Sequence, residues 1–521
     1  MTSTRQASTA EHSFKGDSAS EKSRGDHGDS QFGPSSSNDV EKNMPQPEQP
    51  PEPSNLVEWD GPQDPNNPQN FATARKCRIT AVAALMTFVI SFGSSVFSTA
   101  TEVTAEEFGT SNEVMILGVS LYVLGFACGP LVWGPLSEAG YGRRTPLMAG
   151  FFGFLIFQIP VGVAQNLQTI FLCRFFAGAF GSSPLAIVAG MYVDFWDTVS
   201  RSVATMFYSA GVFAGPALGP IIGEFTVKNQ SLGWRWTAWF TLIMGATVFA
   251  FALFIIPETH APTLHQRKAN RLRQETGNWA LHSKSDEDPV HWKMLLMKYG
   301  IKPMRMLTQE PILIIFTLYM SLVYSILYLA FFAYPISFEY DRGIEFGVSS
   351  LPFVAIFIGV LIACAVMIFE TKIIYTPKLV KAKKLIPEER LIPMFIGSPV
   401  LVVGLFWFAW TSFPSINPWP QIISGVFIGC GFVMVFMSGI IYLVDVYLFD
   451  ANSALAANAF VRAAMAAGFP LFATPMYSKL GVQWATSLIG FLCLALLPAP
   501  FLFYKYGKRV RSWSKFAYDL G

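Results

Sequence analysis

The sequence predicts an all-α membrane protein that crosses the bilayer about twelve times, as two halves of six helices. Three observations support this fold class. Hydrophobic residues make up 52% of the 521-residue chain and charged residues only 14%, against roughly 25% charged in a soluble domain. The apolar residues are gathered into stretches long enough to span a bilayer as helices. A charged segment of about fifty residues divides these stretches into six and six.

The apolar stretches are separated by polar connections, most of which are short. A spanning helix needs roughly 20 apolar residues, and on that measure twelve segments qualify. Their predicted bounds are 78–100, 113–136, 146–164, 169–193, 203–224, 236–256, 311–335, 350–369, 392–412, 420–444, 453–476 and 484–504.

The order of polar and apolar segments divides the chain into five parts. Residues 1–58 are polar and without periodicity, which predicts a disordered tail. The first six-helix half covers residues 59–257, and a polar central loop covers 258–310. The second half covers 311–504, and a short tail covers 505–521. Because the first tail lacks the apolar core of a cleavable signal peptide, the first span is expected to act as the targeting signal.

Basic residues in the connections predict the orientation of the chain. Lys and Arg are concentrated before the first span, after the second, between the eighth and ninth, and after the last. Both tails and the central loop are therefore expected to be cytoplasmic. The plasma membrane is the expected location, with the vacuolar membrane as the alternative.

Charge and residue counts exclude other classes of protein. A net charge of +2 without a concentrated basic patch argues against a nucleic-acid-binding protein. The six cysteines lie in or beside apolar runs, which is typical of core residues rather than of a disulfide framework or metal site. No cofactor and no metal are expected. None of the six histidines lies in a predicted span, so proton chemistry inside the membrane would require carboxylates.

The connection between the second and third spans contains Gly134, Glu138, Arg143 and Arg144. Glycine permits close approach of helices, and a carboxylate beside two arginines can form a charge latch at the membrane surface. The alternative is an ordinary basic turn on the cytoplasmic side. By itself, the pattern favours the ordinary turn.

Arg174 lies in the fourth predicted span, and Asp194 follows at the end of the same helix. An arginine inside a membrane segment costs a few kcal/mol on insertion scales and is a functional candidate by default. The alternative is that Arg174 extends from a helix end to the interface. Asp445 and Arg462 are weaker candidates, because structural ion pairs would equally explain them.

Small residues form a regular stripe in the fifth span. Glycines at intervals of four residues line one face of a helix and let another helix approach closely. Generic close packing would produce the same spacing. The residues of the stripe are Gly211, Gly215, Pro216, Gly219, Pro220 and Gly223.

Aromatic residues share one face of the seventh predicted span. These are Tyr324, Tyr328, Phe331 and Phe332. Facing a central cavity, they would offer an apolar surface with hydroxyl groups for an amphipathic substrate. Facing lipid, they would be filler or an interfacial belt. The sequence supports both interpretations equally.

Asn229 begins an Asn-Gln-Ser triplet, which is a glycosylation acceptor. The distribution of basic residues places it in an outward loop between the fifth and sixth spans. Such triplets also arise by chance, and this one lies close to the membrane, so occupied and unoccupied states are both open.

These motifs, in this order, resemble those of the major facilitator superfamily, and in particular its fungal twelve-span drug:proton antiporters. That branch includes multidrug, polyamine and cycloheximide resistance transporters. The resemblance covers residues 59–515. Further runs that carry it are Trp59-Asp60-Gly61-Pro62 before the first span, Gly233-Trp234-Arg235-Trp236 before the sixth, Pro257-Glu258-Thr259 after the sixth, and Pro387-Glu388-Glu389-Arg390-Leu391 before the ninth.

The resemblance implies a role for each motif. Glu138 and the two arginines of the same connection would lock the halves in an outward-facing state. Arg174, with Asp194, would couple transport to protons. The glycine stripe would seal the interface between the two halves and limit leak, which is a feature of the superfamily's antiporters rather than of its symporters.

The expected function is therefore that of a proton-coupled efflux transporter, not an enzyme. It would export lipophilic or cationic molecules (drugs, toxins, secondary metabolites or polyamines) by alternating access. We expect a monomer whose partners are a small-molecule substrate, protons and the lipid bilayer. No phosphate-binding loop of the Gly-x-x-x-x-Gly-Lys type is present, so ATP use is not indicated. Two alternatives are a proton-coupled nutrient importer of the same superfamily and a transport-dead membrane sensor. The glycine stripe argues against the importer, and the absence of a recognisable interaction motif in the first tail argues against the sensor.

Overall fold

The computed structural model describes residues 55–138, 140–287, 297–382, 386–512 and 514–517. This described part is almost entirely helical and contains no sheet, which confirms the all-α prediction. Most of the first predicted tail lies outside the described residues, as does the end of the second.

Eleven helices in the described part are long and apolar enough to cross a membrane. Each of the twelve predicted stretches overlaps one of them, and the last helix contains two. Their bounds are Thr73–Glu107, Asn112–Glu138, Arg144–Gly162, Leu167–Phe195, Thr198–Lys228, Trp236–Ile255, Pro311–Tyr340, Phe353–Lys381, Pro387–Trp410, Pro418–Tyr447 and Ala451–Arg511.

The last of these helices is interrupted and provides two crossings. Its 61 residues would extend roughly 90 Å as one straight helix, about three times the thickness of a bilayer core. Gly481 breaks it with a φ of 72° and a ψ of 161°, a conformation that favours glycine. The hydroxyl oxygens of Tyr477 and Thr486 lie only 3.3 Å apart, so the chain reverses at Gly481. The eleventh and twelfth spans meet at this reversal.

Consecutive connections lie alternately on two sides of the molecule. We call the side with the central segment 256–310 the loop side, and the side with residues 229–235 and 341–352 the far side. The helix Ala261–Thr276 lies on the loop side.

The described residues just before the first span are attached to the central segment. The amide nitrogen of Val57 donates to the carbonyl oxygen of His282 at 2.8 Å. The ammonium of Lys268 lies 2.5 Å from a carboxylate oxygen of Asp60. Residues 55–58 fall within the predicted disordered tail, but in the structure they are bonded to the central segment. Their partner lies far away in the sequence, so the local composition did not reveal it.

The two halves repeat the same close helix approach. In the first half, a methyl group added at Gly178 of the fourth span would lie 2.0 Å from the carbonyl oxygen of Tyr122 in the second span. In the second half, one added at Gly429 of the tenth span would lie 2.3 Å from the carbonyl oxygen of Ile356 in the eighth. Both positions therefore require glycine. The fourth and second spans of the first half correspond to the tenth and eighth spans of the second half.

The glycine stripe of the fifth span packs against the first span. Added methyl groups would lie 2.5 Å from the carbonyl oxygen of Ala84 at Gly211, and 2.6 Å from the amide nitrogen of Phe92 at Gly215. Gly219 and Gly223 approach the first span in the same way. The expectation that these glycines lie between the halves was wrong, since their partner belongs to the same half. Sequence spacing reveals that a helix packs closely, but not which helix it meets.

The halves themselves meet along two helix pairs, the second with the eleventh and the fifth with the eighth. The fifth span also contacts the tenth through Phe213, whose ring lies edge-on to Phe432 and Phe436 at centroid distances of 4.8 and 5.0 Å. The interface between the halves is thus aromatic where the fifth span meets the tenth.

Replacing Gly215 by alanine is expected to destabilise the protein by roughly 1–3 kcal/mol, because backbone atoms of the first span cannot yield to the new methyl group. Gly468→Ala is the matched control, since a methyl group there meets nothing within 4 Å and alanine favours the helix. Thermal unfolding in detergent would measure both. Equal stability of the two variants would contradict the close approach at Gly215.

Candidate functional site

Arg174 is buried in the middle of the first half. Its guanidinium donates to three backbone carbonyl oxygens, that of Gly118 at 2.6 Å, that of Gly93 at 3.3 Å and that of Ser94 at 3.4 Å. It also lies over the ring of Phe97, 4.4 Å from the centroid. These contacts join the first, second and fourth spans, so Arg174 does not extend to the interface.

A row of hydroxyl groups connects Arg174 with the second half. The Ser94 hydroxyl lies 3.2 Å from that of Tyr328, which lies 3.3 Å from that of Tyr324. The guanidinium of Arg462 lies over the ring of Tyr324, 4.9 Å from its centroid. We call these five residues the central layer. It contains one arginine from each half.

Arg462 has few polar partners. Its guanidinium also lies over the ring of Phe436 at 4.7 Å, and its Nε forms no hydrogen bond within the described part. The sequence interpretation allowed a structural pair involving Asp445 or Arg462. Asp445 does form such a pair, since it accepts from Nε of Arg390 at 3.0 Å on the loop side.

The central layer contains the only charged residues in the interior of the predicted stretches. Arg78, Glu113 and Glu224 are terminal residues of their stretches, and only Arg174 and Arg462 lie further in. This distribution can be read directly from the sequence. Because the two arginines share this position inside apolar stretches, the sequence itself groups Arg462 with Arg174.

Two cavities lie on either side of the central layer. The loop-side cavity has a volume of about 140 Å³ and is lined by Glu138, Arg143, Tyr324 and Arg462, among others. The far-side cavity has a volume of about 500 Å³. Its lining includes Phe331, Phe332, Glu102, Glu224, Glu339 and Asp341. The four aromatic residues singled out in the seventh span are all buried, so they face the protein interior.

Glu224 connects the halves on the far side. Only 2% exposed, it accepts from the amide nitrogen of Gly347 at 3.1 Å and from the hydroxyl of Ser349 at 2.9 Å. Both donors belong to the second half. Nearby, Lys228 pairs with Glu345 at 2.5 Å.

Tyr340 of the second half also donates to Glu102 of the first. This bond, the Lys228 ion pair and the bonds of Glu224 are the far-side contacts. Glu224 was not predicted as a site residue, although it is one of only two carboxylates in the predicted stretches.

The loop-side latch is a chain of polar contacts. Arg143 donates through Nε to Asp194 at 3.3 Å and lies 3.9 Å from Glu138. Glu138 in turn accepts from the side-chain amide of Asn452 in the second half at 2.9 Å. Asp194 also accepts from Thr259 at 3.0 Å. The latch thus crosses between the halves through Glu138, and Gly134 lines the cavity beside it.

Glu258 fixes the backbone of the latch. Its carboxylate accepts from the amide nitrogens of Arg143 at 2.8 Å and Arg144 at 3.3 Å, and from those of Thr259 and His260 at 3.0 Å. The Arg144 guanidinium donates to a carbonyl of the sixth span rather than to the second half. Glu258 was noted only as part of a family run, because a carboxylate that binds backbone amides leaves no spacing pattern.

The structure does not bring Arg174 and Asp194 together. Twenty residues of helix separate them, which corresponds to roughly 30 Å, and Asp194 belongs to the latch. Asn229 lies exposed at the far-side end of the fifth span, where its side-chain oxygen accepts from Ser231 at 2.7 Å. Its glycosylation stays a prediction.

The comparisons with known proteins agree with this architecture. The family model of the Major Facilitator Superfamily matches residues 83–470. Two halves of six spans that meet at the middle of the membrane are typical of this class of membrane transporter. The chain belongs to the Major Facilitator Superfamily.

Its relatives include fungal transporters that it matches over most of their length. The chain is 50% identical over 463 residues to the citrinin biosynthesis cluster MFS transporter of Monascus ruber, covering 89% of this chain and 92% of that one. It is 49% identical to the ascochitine biosynthesis cluster MFS transporter of Didymella fabae, covering 89% of each. It is 43% identical to the cercosporin MFS transporter of Cercospora nicotianae, covering 88% and 89%.

Among solved structures, the chain resembles the proton:xylose symporter bound to 6-bromo-6-deoxy-D-glucose. The TM-score is 0.59 at 15% identity, covering 84% of this chain and 96% of that one. At this identity the similarity supports the fold alone.

Stability should depend on pH through His260 beside the latch. Burial, and then the charge of Arg143, lower the pKa of His260 from 6.5 to about 4. Below pH 6.5 the unfolded chain therefore binds this proton more readily than the folded one, and stability falls as the pH decreases toward 4. Between pH 7 and 5 the loss should be on the order of 1–2 kcal/mol.

The measurement is thermal unfolding of the wild type and of His260→Gln at both pH values. The variant should lose less stability on acidification, because its side chain does not titrate. An identical loss in both proteins would show that His260 does not contribute.

Proposed function

We propose that this protein is a proton-coupled exporter of a small lipophilic metabolite. The observation that carries the proposal is the pair of hydrogen bonds that Glu224, a buried carboxylate of one half, accepts from Gly347 and Ser349 of the other. Adding a proton to this carboxylate weakens its acceptance of both bonds, so a proton can control the contact between the halves on the far side.

The relatives support the class of substrate. One similar chain is named as a cercosporin transporter, and two others are named as the transporters of the citrinin and ascochitine biosynthesis clusters. Export of a secondary metabolite is therefore the form of efflux that we favour over drugs or polyamines. The loop side would face the cytoplasm and the far side the exterior, consistent with the basic residues of the connections. We place the protein in the plasma membrane.

On the loop side, Asp194 has the role that Glu224 has on the far side. Protonation of Asp194 would remove the negative charge that orients Arg143, and Arg143 lies beside the Glu138 that bonds to Asn452. Arg174 lies between the two ends and orders the backbone of the first span next to Tyr328. Alternate protonation of the two ends would open one side while the other is closed, and a substrate would cross in the opposite direction to the proton.

The test is flux of labelled citrinin, ascochitine and cercosporin in inside-out vesicles with an acidic lumen. The wild type should accumulate at least one of them, and dissipating the pH gradient should abolish the accumulation. Glu224→Gln and Asp194→Asn should each reduce it to the level without a gradient, because neither side chain can exchange a proton. Glu113→Gln, at an exposed carboxylate, is the control and should transport normally.

Each alternative gives a different result. An importer would release the compounds from the vesicles under the same gradient, and a sensor would move none of them. Proton-driven accumulation by Glu224→Gln at the wild-type rate would remove Glu224 from the mechanism.

A further inference from the structure

The charges of the central layer are of one sign. Arg174 and Arg462 are the only charged residues in the interior of the predicted stretches, and neither forms an ion pair within the described part of the chain. Placing a guanidinium in a membrane protein costs free energy unless a partner compensates it. Arg174 is compensated by three backbone carbonyls and a ring face.

Arg462 is compensated less completely than Arg174. It contacts two aromatic faces, and its Nε has no hydrogen-bond acceptor among the residues that the structure describes. Unlike the almost fully buried Arg174, it also lines a cavity, the one on the loop side. A charged donor without an acceptor, beside open space, is a position where a ligand can supply the missing acceptor.

The other groups that line the loop-side cavity favour a negative ligand. Its charged lining residues are Arg462, Arg143 and Glu138. Arg143 pairs with Glu138 and with Asp194, which leaves Arg462 as the guanidinium without a carboxylate partner among the described residues. The carboxylate of Glu138 is already engaged by Asn452 at 2.9 Å and lies beside Arg143. The hydroxyl-bearing ring of Tyr324 and a wall of alanine and leucine side chains complete the lining.

We propose that the transported molecule is an aromatic or lipophilic carboxylate, with its negative group bound by Arg462 in the loop-side cavity. This inference rests on the proposed function and specifies its substrate class. The planar guanidinium matches a carboxylate with two parallel hydrogen bonds, and the apolar wall receives the ring or chain. A cationic substrate would meet the guanidinium of Arg462 here, while the carboxylates of Glu138 and Asp194 already lie beside Arg143.

Binding can be tested separately from transport with three probes of nearly equal size. Benzoate, benzamide and benzylammonium carry a negative, a neutral and a positive group on one aromatic ring. Their affinities for the purified protein, measured by isothermal titration calorimetry without any pH gradient, should differ. Benzoate should bind at least about tenfold more tightly than the other two, the effect of one hydrogen-bonded charge pair.

Variants at position 462 attribute the preference to this guanidinium. Arg462→Gln should remove the preference for benzoate, and Arg462→Lys should retain part of it because the charge remains. Arg271→Gln, at an exposed arginine of the central segment that pairs with Glu275, is the control and should leave the preference unchanged. Elution of each variant as a single species in gel filtration would establish that it is folded.

The outcomes separate this inference from the proposed function. Equal or tighter binding of benzylammonium, or no binding of benzoate at millimolar concentration, would overturn the anionic substrate while leaving proton-driven export intact. A preference for benzoate that survives Arg462→Gln would overturn the assignment to Arg462. If the wild type binds benzoate selectively but shows no proton-driven flux, the proposed export is contradicted and the binding site is not.

Discussion

Charges buried in a membrane must be compensated by the protein itself, and this constraint determines where the polar residues of this chain lie. The interior of the predicted stretches contains two arginines and no carboxylate. Backbone carbonyls and an aromatic face compensate Arg174, and two aromatic faces contact Arg462. The carboxylates lie at or beyond the ends of the stretches. At both ends they contact the other half, so the contacts that close the molecule are the ones that a proton can change.

The fifth span relates the two ends to the central layer. It carries Glu224 near its far-side end, and its glycines pack against the first span, which carries Ser94. Because backbone atoms contact each other along this pair, the two spans resist sliding past one another and are suited to move as a unit. We therefore expect that protonation of Glu224 displaces the first span together with the fifth. Because Ser94 of the first span contacts Tyr328, this displacement would alter the cavities on either side of Tyr328.

Composition and hydropathy were sufficient to predict the all-α fold and every spanning segment, since a spanning helix is recognised from its own residues. The resemblance also identified the superfamily. The partners of individual residues were harder to predict, because they depend on contacts between segments distant in the chain. The fifth-span glycines met the first span, Asp445 paired with Arg390, and Asp194 joined the latch instead of Arg174.

Functional residues that act through backbone contacts were missed for the same reason. Glu224 and Glu258 bind amides of other segments, and an amide has no sequence signature. Arg462 was predictable in part, since an isolated charge in an apolar stretch is visible without a structure. Its position beside Tyr324 and a cavity, which gives it a ligand-binding role in our account, depends on the packing of the seventh and eleventh spans.

The central claim is that protonation of Glu224 separates the halves on the far side while the loop-side latch stays closed. Distances between spin labels at positions 225 and 348 on the far side, and at 141 and 301 on the loop side, measured by double electron–electron resonance, test it most directly. All four side chains are exposed. We expect Glu224→Gln to lengthen the far-side distance at neutral pH and to leave the loop-side distance unchanged, because Asp194 still orients Arg143 in the latch. Acidification of the wild type should also lengthen the far-side distance. Unchanged far-side distances in both acid and the variant would contradict the claim.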